Sequence, residues 1–272
     1  MSTTYHPDLD KLVGLVQNSA KYARISPDLI RSIGNLELER RQNLKEAVKA
    51  TRSKLHQVGS AYQENPIPYG KWESELGELD HSLNDPRVQA WVRSCLQYHA
   101  STRERLPILE RIFSETLAPI GPIHSVLDIA CGLNPMSIPW MSLERDFSYQ
   151  AVDIYVDLIE FLNLYFKHFA INGKAGVADV LQSSPSHPVQ VALIMKTIPC
   201  LEQLDKQAGG KLLDAIQAEI MLVSFPARSL GGRSKGMVQN YEAHFHELIR
   251  GKPWKIDRFE FPGELVFRVQ TS

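Results

Sequence analysis

The feature that most constrains this fold is a series of short strand-like segments in the second half of the chain, separated by helical segments and turns. Each is rich in apolar and β-branched residues and short enough to be a buried strand. The segments are SVLDIA, YQAVDI, KAGVADV, VALIMK, IMLVSF, KIDRFEF and ELVFRV. A helix, VDLIEFLNLYFKHFA, follows the second and is predicted to be capped by Asn172-Gly173. Only Pro262-Gly263 separates the last two, which predicts a terminal antiparallel pair in an otherwise parallel seven-stranded α/β sheet.

The segment before this sheet has a different character. With 272 residues and 43% hydrophobic content, the chain can bury a full hydrophobic core and form one large domain or two unequal ones. Helix starts are indicated at His6-Pro7-Asp8 and Ser26-Pro27-Asp28, where proline suits the first helical turn. Residues 63–85 mix proline, glycine and acidic residues, as is typical of a connector. We therefore expect an N-terminal helical domain with its connector at 1–85 and an α/β domain at 86–272.

The positive charge of this chain is concentrated in particular segments of the sequence. Because the formal net charge is -1, a nucleic-acid partner would have to be attracted by patches of the surface. The third predicted helix has apolar residues on one face, at Leu44, Ala47, Val48, Leu55 and Val58. Basic residues recur beside that face at helical spacing, at Lys45, Lys49, Arg52 and His56. This pattern predicts a helix that packs on one side and is cationic on the next.

Several classes of site and location are disfavoured. The cysteines Cys95, Cys131 and Cys200 lack metal-ligand spacing, so neither a disulfide framework nor a zinc site is expected. His244 and His246 are spaced like a metal pair, but no further ligands complete a set, and we expect no metal. The stretch MSTTYHPDLDKL lacks the features of a secretion signal, and no apolar run reaches membrane-spanning length. We expect a cytoplasmic protein without a membrane partner.

Polar residues occur at the ends of the first four predicted strands, where doubly wound sheets bind ligands. Asp128 and Gly132 lie at or after the first strand, and Asp153, Asp179 and Lys196 end the next three. An acid about 20 residues beyond the first turn is placed to accept hydrogen bonds from ribose hydroxyls. Asp179 would then accept from an adenine amino group. Either acid alone is also compatible with a helix N-cap, but together they favour a nucleoside site.

The turn after the first strand narrows the choice of nucleoside. CGLNP contains one glycine, Gly132, whereas loops that hold a pyrophosphate need several, so NAD and ATP are disfavoured. S-adenosylmethionine has no phosphates, and one glycine allows close approach of its amino-acid portion. Its carboxylate needs a cation, and HASTRERL offers Arg103 and Arg105, which could bind it in two places. The alternative is that both arginines merely solvate a helix.

A glycine-rich basic loop follows the fifth strand. SFPARSLGGRSKGM contains Arg228, Arg233 and Lys235, which suit contacts to RNA phosphates. A solvated flexible loop is the alternative. Strand order favours a methyltransferase sheet without excluding a dehydrogenase half-domain. Asp128 and Cys131 are expected to order the first turn, the cysteine as a small buried residue.

Five features together resemble one known family: HASTRERL, VLDIACGLNP, Asp153, Lys196 in MKTIPCLE, and VSFPARSLGGRSKGM. The chain is similar to the aminoglycoside-resistance 16S ribosomal RNA methyltransferases that modify N7 of guanine 1405. The resemblance extends from the first helix, through KLHQVGSAY, to the final hairpin. It implies a class I S-adenosylmethionine-dependent methyltransferase fold (a Rossmann-like seven-stranded sheet) with an N-terminal helical domain. It also implies 16S rRNA within the 30S subunit as the partner.

The resemblance also assigns residues to the site. It implies cofactor contacts at Tyr62, His99, Ala100, Ser101, Arg105, Ala130, Gly132, Asp153, Asp179, Val180 and Met195. Lys196 falls at the methyl-transfer position as a positioning group. Target RNA contacts are expected from the basic helix, including Lys54, and from the loop residues Arg228, Arg233, Lys235 and Met237.

Two other functions remain compatible with the sequence. One keeps the cofactor but methylates a small molecule, a protein or another RNA. The other is a non-enzymatic RNA- or ribosome-binding protein that retains the fold without the cofactor. The cationic loop and helix argue against the first, and Arg105, Gly132, Asp153 and Asp179 argue against the second.

Overall fold

The structure is a computed structural model that describes residues 6–60, 66–182, 187–227 and 236–271. The first part of the chain is helical. Its helices are α1 Leu9–Gln17, α2 Pro27–Arg40, α3 Leu44–Leu55, α4 Tyr69–Leu76, α5 Pro86–Leu96, α6 Ala100–Arg105 and α7 Leu109–Thr116. A π-helical turn, His56–Ser60, continues α3. Within the described residues, no helix combines the length and apolar character needed to cross a bilayer.

The strands follow α7, with α-helices after β2, β4 and β5. The strands are β1 Ser125–Ile129, β2 Ser148–Asp153, β3 Gly173–Val177, β4 Val189–Met195, β5 Ala218–Pro226, β6 Lys255–Phe261 and β7 Glu264–Gln270. The helices among them are α8 Val156–His168, α9 Ile198–Leu201, α10 Ala208–Ala215 and α11 Met237–Leu248.

The strands form a seven-stranded sheet in the order β3-β2-β1-β4-β5-β7-β6. β7 is antiparallel to both β5 and β6, and the other pairs are parallel. The predicted seven strands and terminal hairpin are therefore confirmed. Strand order reverses between β1 and β4, which opens a crevice at the carboxyl ends of these strands.

The predicted basic helix forms as α3 and packs on its apolar side. The Asn43 side chain caps it by accepting a hydrogen bond from the Glu46 amide at 3.0 Å. Ala47, Val48 and Leu55 are buried, with Leu44 packed at the edge of the same cluster. The Val58 side chain lies outside the described part of the chain.

The segment predicted as a connector contains a packed helix. Trp72 and Leu76 of α4 are buried, and the ring centroid of Trp72 lies 5.4 Å from that of Phe161 in α8. The N-terminal helices also share one buried apolar cluster with α8, β1 and β2. The division of the chain at residue 85 stays a prediction.

The end of α8 differs from the expectation. The helix ends at His168, and the residue with left-handed backbone is Ala170, at φ 50°, rather than the predicted Asn172-Gly173 cap. Gly173 instead begins β3. A Cβ atom on Gly173 would lie 2.9 Å from the Phe166 ring, so this glycine is required by close packing.

Candidate functional site

A pocket opens at the carboxyl ends of the central strands. It lies where strand order reverses, the position at which doubly wound sheets bind ligands. Most residues predicted for the site line it: His99, Ser101, Arg105, Ala130, Gly132, Asp153, Asp179, Val180, Met195 and Lys196. Ala100 is buried at the start of α6. Tyr62 lies outside the described residues.

The turn after β1 has an unusual backbone. Ala130 and Gly132 have φ of 51° and 49°, a left-handed conformation that favours glycine. A Cβ atom on Gly132 would also lie 2.9 Å from His99 Cε1. The single glycine of the turn is therefore required twice, by its backbone and by the imidazole beside it. Burial, together with the positive charges of Arg105 and Lys196, lowers the pKa of His99 to about 4, so the ring is neutral at pH 7.

Asp153 is held in place by backbone donors at the end of β2. Its Oδ2 accepts from the Gly132 amide at 2.8 Å, and its Oδ1 accepts from the Ile154 amide at 2.7 Å. Burial raises the pKa of this carboxyl, and these hydrogen bonds oppose the rise. Oδ1 also accepts from the Tyr155 amide at 3.4 Å, whereas Oδ2 keeps a further lone pair with which it can accept from a ligand hydroxyl.

Asp179 lies two residues beyond β3 rather than at its last residue. Its Oδ1 accepts from the Leu181 amide at 3.0 Å. Its Oδ2 is buried and has no hydrogen-bond partner among the described residues. A buried acceptor without a partner is costly, and burial raises the pKa of this carboxyl. The side chain is therefore suited to a donor supplied by a ligand.

Arg105 is buried and makes the two-point contact predicted for it, but with a protein carboxylate. Its Nη2 donates to Glu264 Oε1 at 2.8 Å, and its Nε donates to Oε2 at 3.2 Å. Nη1 donates to Asn134 Oδ1 at 2.9 Å. Glu264 therefore takes the Nε–Nη2 edge of the guanidinium, and the contact of an arginine with a ligand carboxylate stays a prediction. A ligand carboxylate would meet Arg105 on the Nη1 side.

Lys196 joins the same buried network. It follows β4 directly, with φ at 58°, and its side chain is buried. Its Nζ donates to Glu104 Oε2 at 2.7 Å and lies 3.4 Å from Glu264 Oε2. Burial opposes ionisation of Glu264, but Arg105 and Lys196 hold its pKa below the usual range. Two cations therefore face two carboxylates at the pocket wall.

Sequence reasoning missed both carboxylates of this network. Glu264 begins β7, directly after the hairpin turn, and also accepts from the Ser224 hydroxyl at 2.7 Å. A carboxylate at the start of the mostly apolar segment ELVFRV was the available signal. Glu104 lies between the two arginines of HASTRERL, where it was interpreted only as part of a charged run.

Asp128 connects the turn to its surroundings, as expected for a residue that orders a loop. Its Oδ2 accepts from Asn134 Nδ2 at 2.8 Å and from the Tyr149 hydroxyl at 2.7 Å. Burial raises the pKa of Asp128 to about 7. The neighbouring Cys131 is buried.

The predicted RNA-contacting cations differ in their surroundings. Lys45 and Lys49 are exposed on α3. Arg52 donates to the Leu15 carbonyl, and Lys54 Nζ lies 3.2 Å from Glu37 Oε1. His56 Nδ1 is 3.0 Å from Lys21 Nζ. Met237 is half-buried at the start of α11, and Arg228, Arg233 and Lys235 lie outside the described residues.

One of the two histidines with metal-like spacing pairs with a carboxylate. His244 Nε2 lies 2.8 Å from Glu202 Oε2. In the part of the chain that the structure describes, no group of three or more His, Cys, Asp or Glu side chains is arranged to hold a metal ion.

Comparison with known proteins identifies the family. The model of the family described as "Ribosomal RNA methyltransferase (FmrO)" matches residues 18–268. This chain belongs to the FmrO family of ribosomal RNA methyltransferases. The resemblance found in the sequence is thus confirmed at the level of the family.

Relatives of this FmrO-family protein match it along nearly their whole length. A protein of Micromonospora echinospora is 33% identical over 272 residues, which cover 98% of this chain and 99% of the relative. One of Serratia marcescens is 34% identical over 255 residues, covering 93% of this chain and 95% of the relative. Both are named 16S rRNA (guanine(1405)-N(7))-methyltransferase.

Solved structures of 16S rRNA methylases share the fold. RmtF, in complex with S-adenosyl-L-homocysteine, is 27% identical with a TM-score of 0.84, and the match covers 99% of this chain and 100% of RmtF. RmtB is 27% identical with a TM-score of 0.81, covering 98% of this chain and 100% of RmtB. The predicted class I methyltransferase fold is confirmed.

Proposed function

We propose that this FmrO-family protein is a 16S rRNA (guanine(1405)-N(7))-methyltransferase. It transfers a methyl group from S-adenosylmethionine to a guanine of the 30S ribosomal subunit in the cytoplasm, which makes the cell resistant to aminoglycosides. The observation that carries the proposal is that Asp153, Asp179 and Lys196 line one pocket at the reversal of strand order. The names of the relatives support guanine 1405 as the target.

The residues of the pocket fit S-adenosylmethionine. Asp153 would accept hydrogen bonds from the ribose hydroxyls, and the buried Oδ2 of Asp179, without a partner among the described residues, would accept from the adenine amino group. The Nη1 side of Arg105 would meet the methionine carboxylate. When bound, the cofactor supplies an electrophilic methyl group on a sulfonium.

The chain itself has little proton chemistry to perform. N7 of neutral guanine carries an available lone pair, so no general base is required. The task of the protein is to hold N7 in line with the methyl group, a proximity effect that contributes about 7–11 kcal/mol in favourable cases. The pKa of His99, lowered to about 4, makes its ring a weak base, in agreement with a site that positions its substrates.

Lys196 and Glu104 are suited to reading the base. Their ion pair places an N–H donor 2.7 Å from a carboxylate acceptor. Guanine presents the matching pattern, with the O6 acceptor beside the N1–H donor, whereas adenine presents an N6 donor beside the N1 acceptor. Lys196 would donate to O6 and Glu104 would accept from N1–H. The target base must leave its stack for this, at a cost of a few kcal/mol.

The basic residues would offset that cost by contacts to the phosphates. Lys45 and Lys49 on α3 are exposed and supply local positive charge on a chain whose net charge is -1. The target region would also be engaged by residues before and at the start of α11: Arg228, Arg233, Lys235 and Met237.

One experiment tests the proposed function directly. Purified protein and labelled S-adenosylmethionine are incubated separately with 30S subunits, naked 16S RNA and 50S subunits, and N7-methylguanine is mapped by chemical cleavage. We expect label in 30S subunits at guanine 1405. Absence of label from 30S subunits, or label at another base, would contradict the proposal.

The resistance phenotype gives a second test. Expression of the protein in a sensitive bacterium is expected to raise the inhibitory concentration of aminoglycosides that bind the decoding site. Expression of Asp153→Ala to the same level should leave the inhibitory concentration unchanged.

A further inference from the structure

We propose that the N-terminal helical segment forms one wall of the cofactor site, so that ribosome docking on this segment and cofactor binding strengthen each other. The cofactor half of this proposal rests on contacts within the chain alone. The ribosome half rests on the proposed function.

The first link is a short antiparallel bridge between Ile25 and Tyr155. The Ser26 amide donates to the Ile154 carbonyl at 2.8 Å, and the Val156 amide donates to the Arg24 carbonyl at 2.9 Å. The bridged residues 154–156 directly follow Asp153, whose Oδ1 accepts from the Ile154 amide at 2.7 Å. The backbone that orients the Asp153 carboxylate is therefore itself held by the N-terminal segment.

A second link involves the other strand-end carboxylate. Gln182 Nε2 donates to the Ser32 hydroxyl of α2 at 2.8 Å. Gln182 lies three residues after Asp179, and its amide donates to the Asp179 carbonyl at 3.0 Å. The turn that positions Asp179 is thereby tied to α2.

The pocket surface itself includes two residues of the N-terminal segment, Leu29 of α2 and Gly59 of the π-helical turn. Gly59 is buried, and a Cβ atom there would lie 2.5 Å from the Tyr155 hydroxyl oxygen and 3.2 Å from Ile154 Cδ1. The π-helical turn thus packs its backbone directly against the Asp153 loop. π-helical turns occur often at functional sites, where they displace the chain from regular helix.

The same π-helical turn continues the helix that presents Lys45 and Lys49 to solvent. A partner that binds these lysines therefore contacts a helix whose far end lines the cofactor pocket. Each ligand restricts the motion of an element that the other must also order, so the second to bind loses less conformational entropy. Linkage requires the effect to be reciprocal, and typical couplings are about 5- to 150-fold.

The wall is tested by Gly59→Ala, which adds a methyl group 2.5 Å from the Tyr155 hydroxyl oxygen, so that the Tyr155 side chain must shift. Titration calorimetry of the protein alone with S-adenosylmethionine should show affinity reduced by about 10-fold or more. The matched control is Gly14→Ala in α1, where a Cβ atom meets nothing within 4 Å. Equal cofactor affinity in the two folded variants would contradict the proposal that the N-terminal segment forms a wall of the cofactor site.

If Gly59→Ala does not fold, Ser32→Ala tests the same interface without adding volume. It removes the hydrogen bond to Gln182 and should weaken cofactor binding about 3-fold. Its control is Ser114→Ala, whose hydroxyl donates to the Arg111 carbonyl within α7. Unchanged cofactor affinity in folded Ser32→Ala would also contradict the proposal that the N-terminal segment forms a wall of the cofactor site.

The coupling is tested by the affinity of the wild-type protein for 30S subunits with and without saturating S-adenosylhomocysteine. We expect at least about 5-fold tighter binding with the cofactor product present. Equal affinity would overturn the coupling and leave the proposed function intact. Failure to bind 30S subunits in either condition would refute the proposed function itself. It would not contradict the role of the N-terminal segment in the cofactor site.

Discussion

The proposed cofactor pocket and the basic helix α3 use positive charge in opposite ways. In the pocket, the Arg105 and Lys196 side chains are buried and each meets a carboxylate within hydrogen-bonding distance. On α3, Lys45 and Lys49 are exposed. A buried cation must have an ionic partner, because removing it from water is costly, whereas an exposed one stays available to an external phosphate. The same residue type therefore serves two purposes that its surroundings distinguish.

Lys54 is a residue of α3 whose surroundings differ from those of the exposed lysines. It is on α3 and was predicted to contact RNA, but its ammonium lies against the buried carboxylate of Glu37. Burial opposes ionisation of Glu37, and contacts from Arg41 and Lys54 hold its pKa below the usual range. In its surroundings, Lys54 resembles the pocket cations more than it resembles Lys49.

The largest expected effect concerns the pocket. Asp153→Ala removes the carboxylate that accepts from the Gly132 and Ile154 amides and would accept from the ribose. Because hydrogen bonds to a charged group contribute about 1.5–3 kcal/mol each, S-adenosylmethionine affinity should fall about 100-fold, and methylation of 30S subunits should be lost. Titration calorimetry and the labelling assay measure the two quantities.

Two controls accompany this variant. Asp146→Ala changes an exposed acid just before β2 and should keep wild-type cofactor affinity. Arg233→Ala should weaken methylation while keeping cofactor affinity, since it is expected to contact RNA. Equal cofactor affinity in Asp153→Ala and Arg233→Ala would contradict the site assignment.

The second effect is a pH dependence of stability from Asp128. Because burial raises its folded pKa to about 7, the folded state binds a proton that the unfolded state has already released. The stabilisation is present at low pH and is lost as pH rises through about 7. Denaturant unfolding should show wild type losing on the order of 2 kcal/mol between pH 5.5 and 8.5 relative to Asp128→Asn.

The comparison with Asp128→Asn isolates this carboxyl. His99 has the opposite sign, because its lowered folded pKa makes acidification destabilising between about 6.5 and 4. That contribution is present in both proteins and cancels in the difference. A difference in unfolding free energy that stays constant with pH would refute the role of Asp128.

A third prediction separates Lys54 from Lys49. Lys54→Ala leaves Glu37 with Arg41 as its remaining ionic partner among the described residues, and should lower the free energy of unfolding by about 1–2 kcal/mol. Lys49→Ala should change it by less than about 0.5 kcal/mol. Equal free energies of unfolding for Lys54→Ala and Lys49→Ala, measured in denaturant, would show that Lys54 behaves like the exposed cations.

The smallest effect is expected in RNA binding. Lys49→Ala should weaken 30S binding a few-fold and reduce the slope of log affinity against log salt by about 1. Lys255→Ala changes an exposed lysine at the start of β6. This lysine lies near the amino end of β5, whereas the pocket lies at the carboxyl ends of the parallel strands, and its substitution should leave the slope unchanged. An unchanged slope in Lys49→Ala would remove this lysine from the RNA interface.

Local pattern predicted much of the fold. All seven strands were found from short apolar segments, and the hairpin followed from two turn residues, because strand formation and tight turns depend on neighbouring residues. The fold differed from the prediction at two places, the end of α8 and the predicted connector. Ala170 rather than a glycine takes the left-handed position after α8, and Gly173 lies in β3 where Phe166 packs closely. In the predicted connector, Trp72 gains enough buried contact with α8 to hold a helix.

The site divides in the same way. Strand-end position brought Asp153, Asp179 and Lys196 to one pocket, since parallel strands end at one edge of a sheet. Glu264 and Gly59 were missed, because their contacts join segments far apart in the chain: Arg105 and Glu264 are 159 positions apart.

The sequence by itself thus determined the strands, the turn with its single glycine and the acids at the strand ends, all of which depend on local backbone preference and periodicity. Tertiary structure alone decided which carboxylate meets which cation. It turned Arg105 toward Glu264 and Lys54 toward Glu37, and it placed Gly59 against Tyr155. The physical reason is that burial makes an unpaired charge or an unfilled space costly, and only the packed chain determines which groups are buried together.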